Sequence, residues 1–197
     1  LGEMFPAVRF HASTSASTAD RVMTFDGKEH QTDWLLAGKK GPVWVNASDA
    51  TLADCHRTII GPTEGVMVQP RSGNVKLQFA GEVRTWRFWQ ELHAGTQFIG
   101  TGYPVLMTPE TRGMTTAAGF VAGDDVNAGD TISVWTGDQN PADAVFATYR
   151  YVNAGNGTWL KSAEEGAGQK VRFEPYRAAY MLINSQLRGW LIDAPGH

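Results

Sequence analysis

Apolar and polar residues alternate over short runs along most of this chain, and glycine, proline, asparagine or aspartate interrupts each run. Alternation with a period of two places the apolar side chains of a strand on one face, so each run predicts a short β-strand closed by a turn. Clear examples lie at residues 21–25, 32–36 and 43–46. The best helix prediction is 110–118, with helix formers around Arg112 and Met114. The pattern therefore predicts an all-β protein with little helix.

One strand pattern occurs twice along the chain. Residues 19–27 read ADRVMTFDG and residues 129–137 read GDTISVWTG, with aspartate, aliphatic, aromatic and glycine residues at the same steps. Other matched segments keep the same order: 2–6 with 100–104, 32–36 with 148–152, 41–45 with 157–160, 62–68 with 175–181, and 75–79 with 188–192. Chance self-alignment of a β-rich chain is the alternative, but the shared order favours duplication. We therefore predict two tandem β-sandwich or barrel-like repeat lobes, at residues 1–82 and 83–197.

Composition and net charge indicate which kinds of binding partner are not expected for this protein. The 197 residues include 22 glycines, nine prolines and seven tryptophans, with 19% charged residues, which is typical of short strands joined by tight turns. The net charge is −3 and the basic residues are scattered, so nucleic acid is not an expected partner. No run approaches the roughly 18 apolar residues of a membrane helix, so membrane insertion is not expected either. The start at Leu1 rather than methionine fits either a removed signal peptide or a chosen boundary.

No catalytic or cofactor signature is present. The five histidines form no pair at i, i+2 or i, i+4, and the lone Cys55 cannot form an internal disulfide. The chain also lacks a nucleophile elbow, a phosphate loop and a dinucleotide fingerprint. We therefore predict a protein that is not an enzyme and needs no cofactor.

An Asp-x-Asn-x-x-Asp pattern gives weak calcium candidates. It occurs twice, as Asp125, Asn127 and Asp130, and as Asp138, Asn140 and Asp143. Three oxygen ligands in a short loop suit a hard cation such as calcium, but the glutamate that would complete an EF-hand loop is missing. Asp and Asn also bond their own backbone in turns, so the turn interpretation is favoured.

Aromatic residues are the other candidates for function. The pairs Trp44 with Trp159 and Phe25 with Trp135 recur at matched positions, which predicts a core role for them. The segment 82–92 carries aromatics on both faces, so it is either sandwiched between layers or placed at a subunit contact. The predicted interface or ligand-contact residues are Trp34, Trp86, Phe88 and Trp89.

The order of these motifs resembles that of a known group of proteins. A Gly-x-x-aromatic-Pro corner, an Asp-x-aliphatic strand with a glycine turn, a threonine-aromatic strand, a Gly-x-Trp strand and a closing strand follow one another over residues 95–192. The same order is similar to that of uncharacterised secreted β-repeat proteins of Verrucomicrobia and Planctomycetes. The resemblance implies secretion and a repeat architecture, and it lends no catalytic residues.

These observations predict an exported structural subunit, secreted or at the cell surface, that self-associates into a filament or closed oligomer. Strand edges and aromatic patches would make the contacts, because the first lobe begins at Leu1 without an equivalent of the strand at 82–99 and another chain could fill that place. The alternative interpretation is that the equivalent strand was cut off or is disordered. The alternative partner is a glycan, bound by a carbohydrate-binding module through its exposed tryptophans.

Overall fold

The computed structural model describes residues 1–25, 29–61, 64–71, 73, 75–77, 84–125, 128–135, 146–153, 157–161, 171–175, 177–184 and 189–195. Within these ranges the protein is all-β, with three antiparallel sheets, none of which closes into a barrel. The chain divides into two compact units, unit 1 at Leu1–Glu82 and unit 2 at Val83–His197. None of the helices described is long and apolar enough to cross a bilayer.

Unit 1 contains one sheet of four antiparallel strands. In chain order these are β1 (Arg21–Phe25), β2 (His30–Gly38), β3 (Gly41–Asn46) and β4 (Met67–Gln69). Their order across the sheet is β3-β2-β1-β4, and the described residues add no further strand beyond β4. A short 3-10 helix, Ala7–Arg9, precedes the sheet.

Trp44 is the centre of the core of unit 1. Its ring is only 1% exposed, and its indole Nε1 donates a hydrogen bond to the carbonyl oxygen of Phe5 at 2.8 Å. The ring of Phe10 packs edge-on against it at 5.3 Å between centroids. Leu35, which pairs with Trp44 across β2 and β3, completes this layer. A buried indole needs both a partner for its N–H and apolar neighbours, and this arrangement supplies both.

Unit 2 contains a sheet of five strands and a two-stranded ribbon. The strands are β5 (Phe88–Glu91), β6 (Gly95–Ile99), β7 (Thr131–Trp135), β8 (Phe146–Val152), β9 (Thr158–Lys161), β10 (Ala179–Ile183) and β11 (Gly189–Ile192). The five-stranded sheet has the order β6-β10-β7-β8-β9, and β5 pairs with β11 in the ribbon.

Trp159 in the core of unit 2 is held in the same way as Trp44 in unit 1. Its Nε1 donates a hydrogen bond to the carbonyl oxygen of Met114 at 3.1 Å, and the ring of Phe120 packs edge-on against it.

The predicted helix at 110–118 is wrong. Only Thr116–Ala118 is helical, as a single 3-10 turn. Gly113 lies at φ +71°, a left-handed conformation that an α-helix cannot contain. Arg112 and Met114 on either side are buried at 0% and 1% exposure, so tertiary packing overrides their helix propensity.

Candidate functional site

The ribbon of β5 and β11 holds the most exposed aromatic residues of unit 2. Trp89 lies directly opposite Leu191 across the two strands. The exposed fractions are 66% for Trp86, 60% for Trp89 and 45% for Leu191. Trp89 and Leu191 share one exposed face, and large apolar side chains that do so mark an interaction surface more often than isolated ones. We call these two residues, with Glu91 and with the exposed Arg87 just before β5, the ribbon face.

The inward side of the same ribbon fixes the ribbon face in place. Gln90, Trp190 and Ile192 alternate with the exposed residues and are buried at 4%, 2% and 0% exposure. The ring of Phe88 lies 5.4 Å from that of Tyr103, and the Tyr103 hydroxyl donates to the carbonyl oxygen of Trp86 at 2.7 Å. Because these contacts are internal to unit 2, the outward side chains are held on a fixed support.

Opposite charges flank Trp89 on the ribbon face. Arg87 precedes Trp89 by two positions and Glu91 follows it by two, and both are exposed. Trp89 and Glu91 both lie on β5, where residues two apart point to the same side, and Arg87 lies one residue before the start of this strand. Neither residue forms an ion pair within the part of the chain that the structure describes. A positive, an aromatic and a negative side chain therefore follow one another at Arg87, Trp89 and Glu91.

The four predicted contact residues differ in how exposed they are. Trp86 and Trp89 are exposed and Phe88 is half-buried. Trp34 does not fit the predicted contact surface, since it is only 5% exposed. It packs with Ala19 and Val45 on the other side of the sheet from Trp44, beneath the loop that precedes β1. The alternation of β2 gave no sign that this loop would cover Trp34.

The four aromatic residues predicted for the core also differ in their burial. Trp44 and Trp159 are buried at 1% and 4% exposure, which confirms their core role. Phe25 and Trp135 are half-buried instead, and the prediction of a core role for them is wrong. Trp135 packs edge-on against Phe146 at 5.1 Å, outside the core cluster of unit 2. Matched positions in a sequence do not reveal which face of the sheet is covered.

The calcium candidates are not grouped into a site by the described residues. Asp130 is fully buried, and its two carboxylate oxygens accept the backbone N–H groups of Val121 at 2.9 Å and Asn184 at 2.8 Å. Asp125 is exposed. The remaining candidates, Asn127, Asp138, Asn140 and Asp143, lie outside the described residues. Among the residues described, no group of three or more metal-ligating side chains occurs.

One buried cation was not predicted from the sequence. Arg112 is fully buried, and its Nη2 donates to the carbonyl oxygen of Gly100 at 3.1 Å. Its Nε and Nη1 have no hydrogen-bond partner among the described residues, and its guanidinium lies 4.7 Å from the ring centroid of Phe173 and 5.5 Å from that of Trp190. Burial lowers the pKa of the Arg112 side chain to about 9. Aromatic faces thus replace the carboxylate that a buried arginine would normally have.

Comparison of this chain with protein-family models, with curated proteins and with solved structures finds no match.

Proposed function

We propose that this protein is a non-enzymatic structural subunit that self-associates through the ribbon face. Two copies meet with their β5 strands antiparallel, about a two-fold axis that passes near Trp89. The observation that carries the proposal is the exposed Trp89–Leu191 pair set between Arg87 and Glu91. In this arrangement Arg87 of one copy lies beside Glu91 of the second copy, and the same contact forms twice.

Burial of aromatic surface supplies the driving force. Complete burial of a large apolar side chain is worth about 1.5–3 kcal/mol, and each copy contributes Trp89 and Leu191. The charges of Arg87 and Glu91 determine the orientation of the two copies more than their affinity. If the β5 strands were parallel instead of antiparallel, like charges would meet. Within the described residues β5 pairs with β11 alone, so its other edge is also open to a further strand.

A concentration series in analytical ultracentrifugation tests the proposal. The wild-type protein is expected to shift from monomer to a larger species as concentration rises, and Trp89→Arg is expected to stay monomeric. Val8→Arg is the matched control, because Val8 is 87% exposed but lies in unit 1. A wild-type protein that is monomeric throughout the series overturns the proposal.

A charge exchange tests the two-fold arrangement itself. Arg87→Glu places two acidic groups at each contact, and Glu91→Arg places two basic groups there, so either change alone is expected to weaken association about tenfold or more. The double variant Arg87→Glu/Glu91→Arg restores opposite charges and is expected to recover association. If the double variant is as weak as the single ones, the antiparallel arrangement is wrong.

Export to the cell surface and glycan binding are tested separately. The proposal places the subunit outside the cell, and surface proteolysis of intact source cells should cleave it there. A glycan array probed with wild type and Trp89→Arg addresses the alternative. A monomer that binds a glycan through Trp89 would replace the assembly proposal with a carbohydrate-binding function.

We also infer that the two units are tandem copies of one element. Omitting β6, unit 2 has the order β9-β8-β7-β10, which corresponds strand by strand to β3-β2-β1-β4 of unit 1. Met23 pairs with Thr32 in unit 1 and Ser133 pairs with Thr148 in unit 2, as the predicted matching of segments requires. In each unit a 3-10 helix comes shortly before the aromatic residue that packs on the core tryptophan. This last feature aligns Phe10 with Phe120 and argues against the predicted match of 2–6 with 100–104.

An exchange of segments tests the duplication. A chain in which residues 20–25 and 130–135 replace each other is expected to keep both sheets, because the two strands occupy the same place in their units. Circular dichroism and amide hydrogen exchange would report the result. Loss of protection in both units would argue that the likeness is only superficial.

A further inference from the structure

One end of the sheet in unit 1 is polar on the face that elsewhere forms the core. Thr24 pairs with Gln31, and Asp33 pairs with Asn46, on the same face as Val22 and Leu35. These polar residues line a cleft with a volume of about 450 Å³. We call this cleft the acidic cleft, and its lining also includes Phe25, Cys55, Ile59 and Glu64. The volume is within the range of sites that hold small ligands.

A hydrogen-bond network fixes the floor of the acidic cleft. The Asn46 Nδ2 donates to Oδ1 of Asp33 and to Oε1 of Gln31, both at 3.1 Å. The Asn46 Oδ1 in turn accepts the backbone N–H of Ser48 at 2.8 Å, which determines the orientation of the amide. The half-buried thiol of Cys55 lies near the Asp33 carboxylate. The carboxylate of Asp33 is therefore held in position before any ligand arrives.

Cys55 lies beside this network but is not suited to act as a nucleophile. Burial, together with the nearby Asp33 carboxylate, raises the pKa of the Cys55 thiol to about 12. The thiol stays protonated at physiological pH, and only the thiolate attacks electrophiles or binds metals. The chemistry of the acidic cleft is therefore recognition by hydrogen bonds and charge.

Unit 2 shows that the fold does not need this polarity. Four residues after its buried Asp130, Val134 pairs with Ala147, whereas four residues after Asp20 in unit 1, Thr24 pairs with Gln31. Tyr149, on the same strand as Ala147, corresponds in the same way to Asp33. Val134, Ala147 and Tyr149 all belong to the hydrophobic core of unit 2. Unit 1 thus leaves an acidic cleft where the same strand pairing in unit 2 supports an apolar core.

We propose that the acidic cleft binds a small organic cation, an alkyl ammonium or short polyamine. The buried Asp33 and the exposed Glu64, whose Oε2 accepts the Gly61 N–H, provide two carboxylates, and the described lining residues include no Lys, Arg or His side chain. The α-ammonium group of Leu1 also acts on Asp33 and opposes the rise of its pKa. A cationic head in the cleft would add to the Leu1 ammonium in stabilising the charged form of the buried Asp33, which desolvation disfavours. The ring of Phe25 and the side chain of Ile59 offer apolar contacts for methylene groups, and an aromatic face also attracts ammonium. This inference is independent of self-association through the ribbon face.

Titration calorimetry and NMR with defined ligands test the inference. Spermidine and putrescine are expected to bind and to shift the side-chain amide signals of Asn46 and Gln31. Asp33→Asn is expected to weaken binding at least tenfold, while Asp49→Asn is expected to leave binding unchanged, because Asp49 lies in the same unit but does not line the acidic cleft. As a steric variant, Cys55→Phe fills the cleft without a change of charge and is expected to abolish binding.

Other ligands decide between chemistries in the same experiment. Binding of glucose or sucrose at the acidic cleft, as tightly as spermidine, overturns the proposal in favour of a neutral polyol site. Binding of calcium ions there in place of the amines overturns it in favour of a metal. Amine binding that persists in both Asp33→Asn and Cys55→Phe also overturns it, because the amine is then bound elsewhere.

Discussion

Asp20 in unit 1 and Asp130 in unit 2 accept backbone hydrogen bonds from equivalent places in their units. Oδ2 of each accepts from the residue nine positions upstream, His11 or Val121, at 2.8 and 2.9 Å. Oδ1 of each accepts from a residue just after the last strand of the common order, Arg71 or Asn184. Both aspartates are fully buried. Each carboxylate therefore joins three segments of its unit through main-chain groups, which no neutral side chain of this size can do.

The first prediction concerns these two carboxylates. Asp20→Asn and Asp130→Asn are each expected to lower the free energy of unfolding by about 3 kcal/mol, because an amide leaves one buried N–H without an acceptor. Hydrogen exchange measured by mass spectrometry should show faster exchange in peptides of unit 1 for Asp20→Asn and of unit 2 for Asp130→Asn. Asp54→Asn is a control, since Asp54 is exposed and accepts only a local bond from the His56 N–H. Equal effects of all three changes would contradict this role.

The strands around these aspartates could be predicted from the sequence, but the role of the aspartates could not. The alternation in 21–25 and 131–135 identifies β1 and β7, because a half-buried strand imposes a period of two. The partners of Asp20 and Asp130 are main-chain N–H groups in loops, and these leave no side-chain signature. The same limit explains Trp34, whose cover is a loop of small residues.

The acidic cleft was not predicted for a related reason. Gln31, Asp33 and Asn46 occupy alternate positions that read as ordinary solvent-facing sites of a strand. Only the strand pairing shows that they share the face of Leu35 and Trp44. The exposure of Trp86 and Trp89 could be predicted, because aromatics on both sides of 82–92 exceed what one core can cover. Their partner charges, Arg87 and Glu91, became visible only with the exposure of each residue.

The second prediction concerns the buried Arg112. Arg112→Met keeps most of the apolar volume and removes a desolvated charge, so we expect the free energy of unfolding at pH 7 to rise by about 1 kcal/mol. In the folded state the pKa of Arg112 is lowered to about 9 from its ordinary value of 12.5. Between pH 9 and pH 12.5 the unfolded chain therefore binds more protons than the folded chain does. Stability of the wild type therefore gains with rising pH in this window, and the advantage of the variant should shrink. Chemical denaturation at pH 8 and pH 11 measures the difference.

Arg112→Ala serves as the comparison for that experiment. It also removes the charge but leaves a cavity beside Phe173 and Trp190, so it is expected to lower stability by about 3 kcal/mol. If Arg112→Met is as damaging as Arg112→Ala and the loss does not change with pH, the aromatic contacts of the cation outweigh its desolvation.

The third prediction concerns Gly189 in the ribbon. A Cβ at this position would lie 2.3 Å from the Gln90 carbonyl oxygen and 2.8 Å from the Trp89 ring, so β11 would have to move away from β5. Gly189→Ala is expected to lower stability by about 2 kcal/mol or more and to weaken self-association, because Leu191 leaves its place beside Trp89. Gly95→Ala is the matched control: Gly95 also has a positive φ, but a Cβ there meets nothing within 4 Å. Sedimentation and thermal melting of the two variants separate the clash from backbone strain.

The fourth prediction links the acidic cleft to stability. Burial raises the pKa of Asp33, which means that the folded chain holds the proton more tightly than the unfolded chain does. The resulting contribution to stability is present below the ordinary pKa of 3.8 and is lost as pH rises through the folded-state value. Asp33→Asn removes the charge, so it is expected to melt higher than wild type at pH 7, with an advantage that fades towards pH 3.

Asp49 gives a control of opposite sign for this experiment. Hydrogen bonds from the Thr51 hydroxyl and backbone N–H lower the pKa of Asp49, so its contribution to stability is present at neutral pH and lost as pH falls below 3.8. Asp49→Asn is therefore expected to melt lower than wild type at pH 7 and to approach it in acid. If both variants shift the melting temperature in the same direction, the charge of Asp33 does not destabilise the folded state. An increase for Asp33→Asn alone would mean that unit 1 gives up stability to keep a carboxylate in the acidic cleft, as a binding site would require.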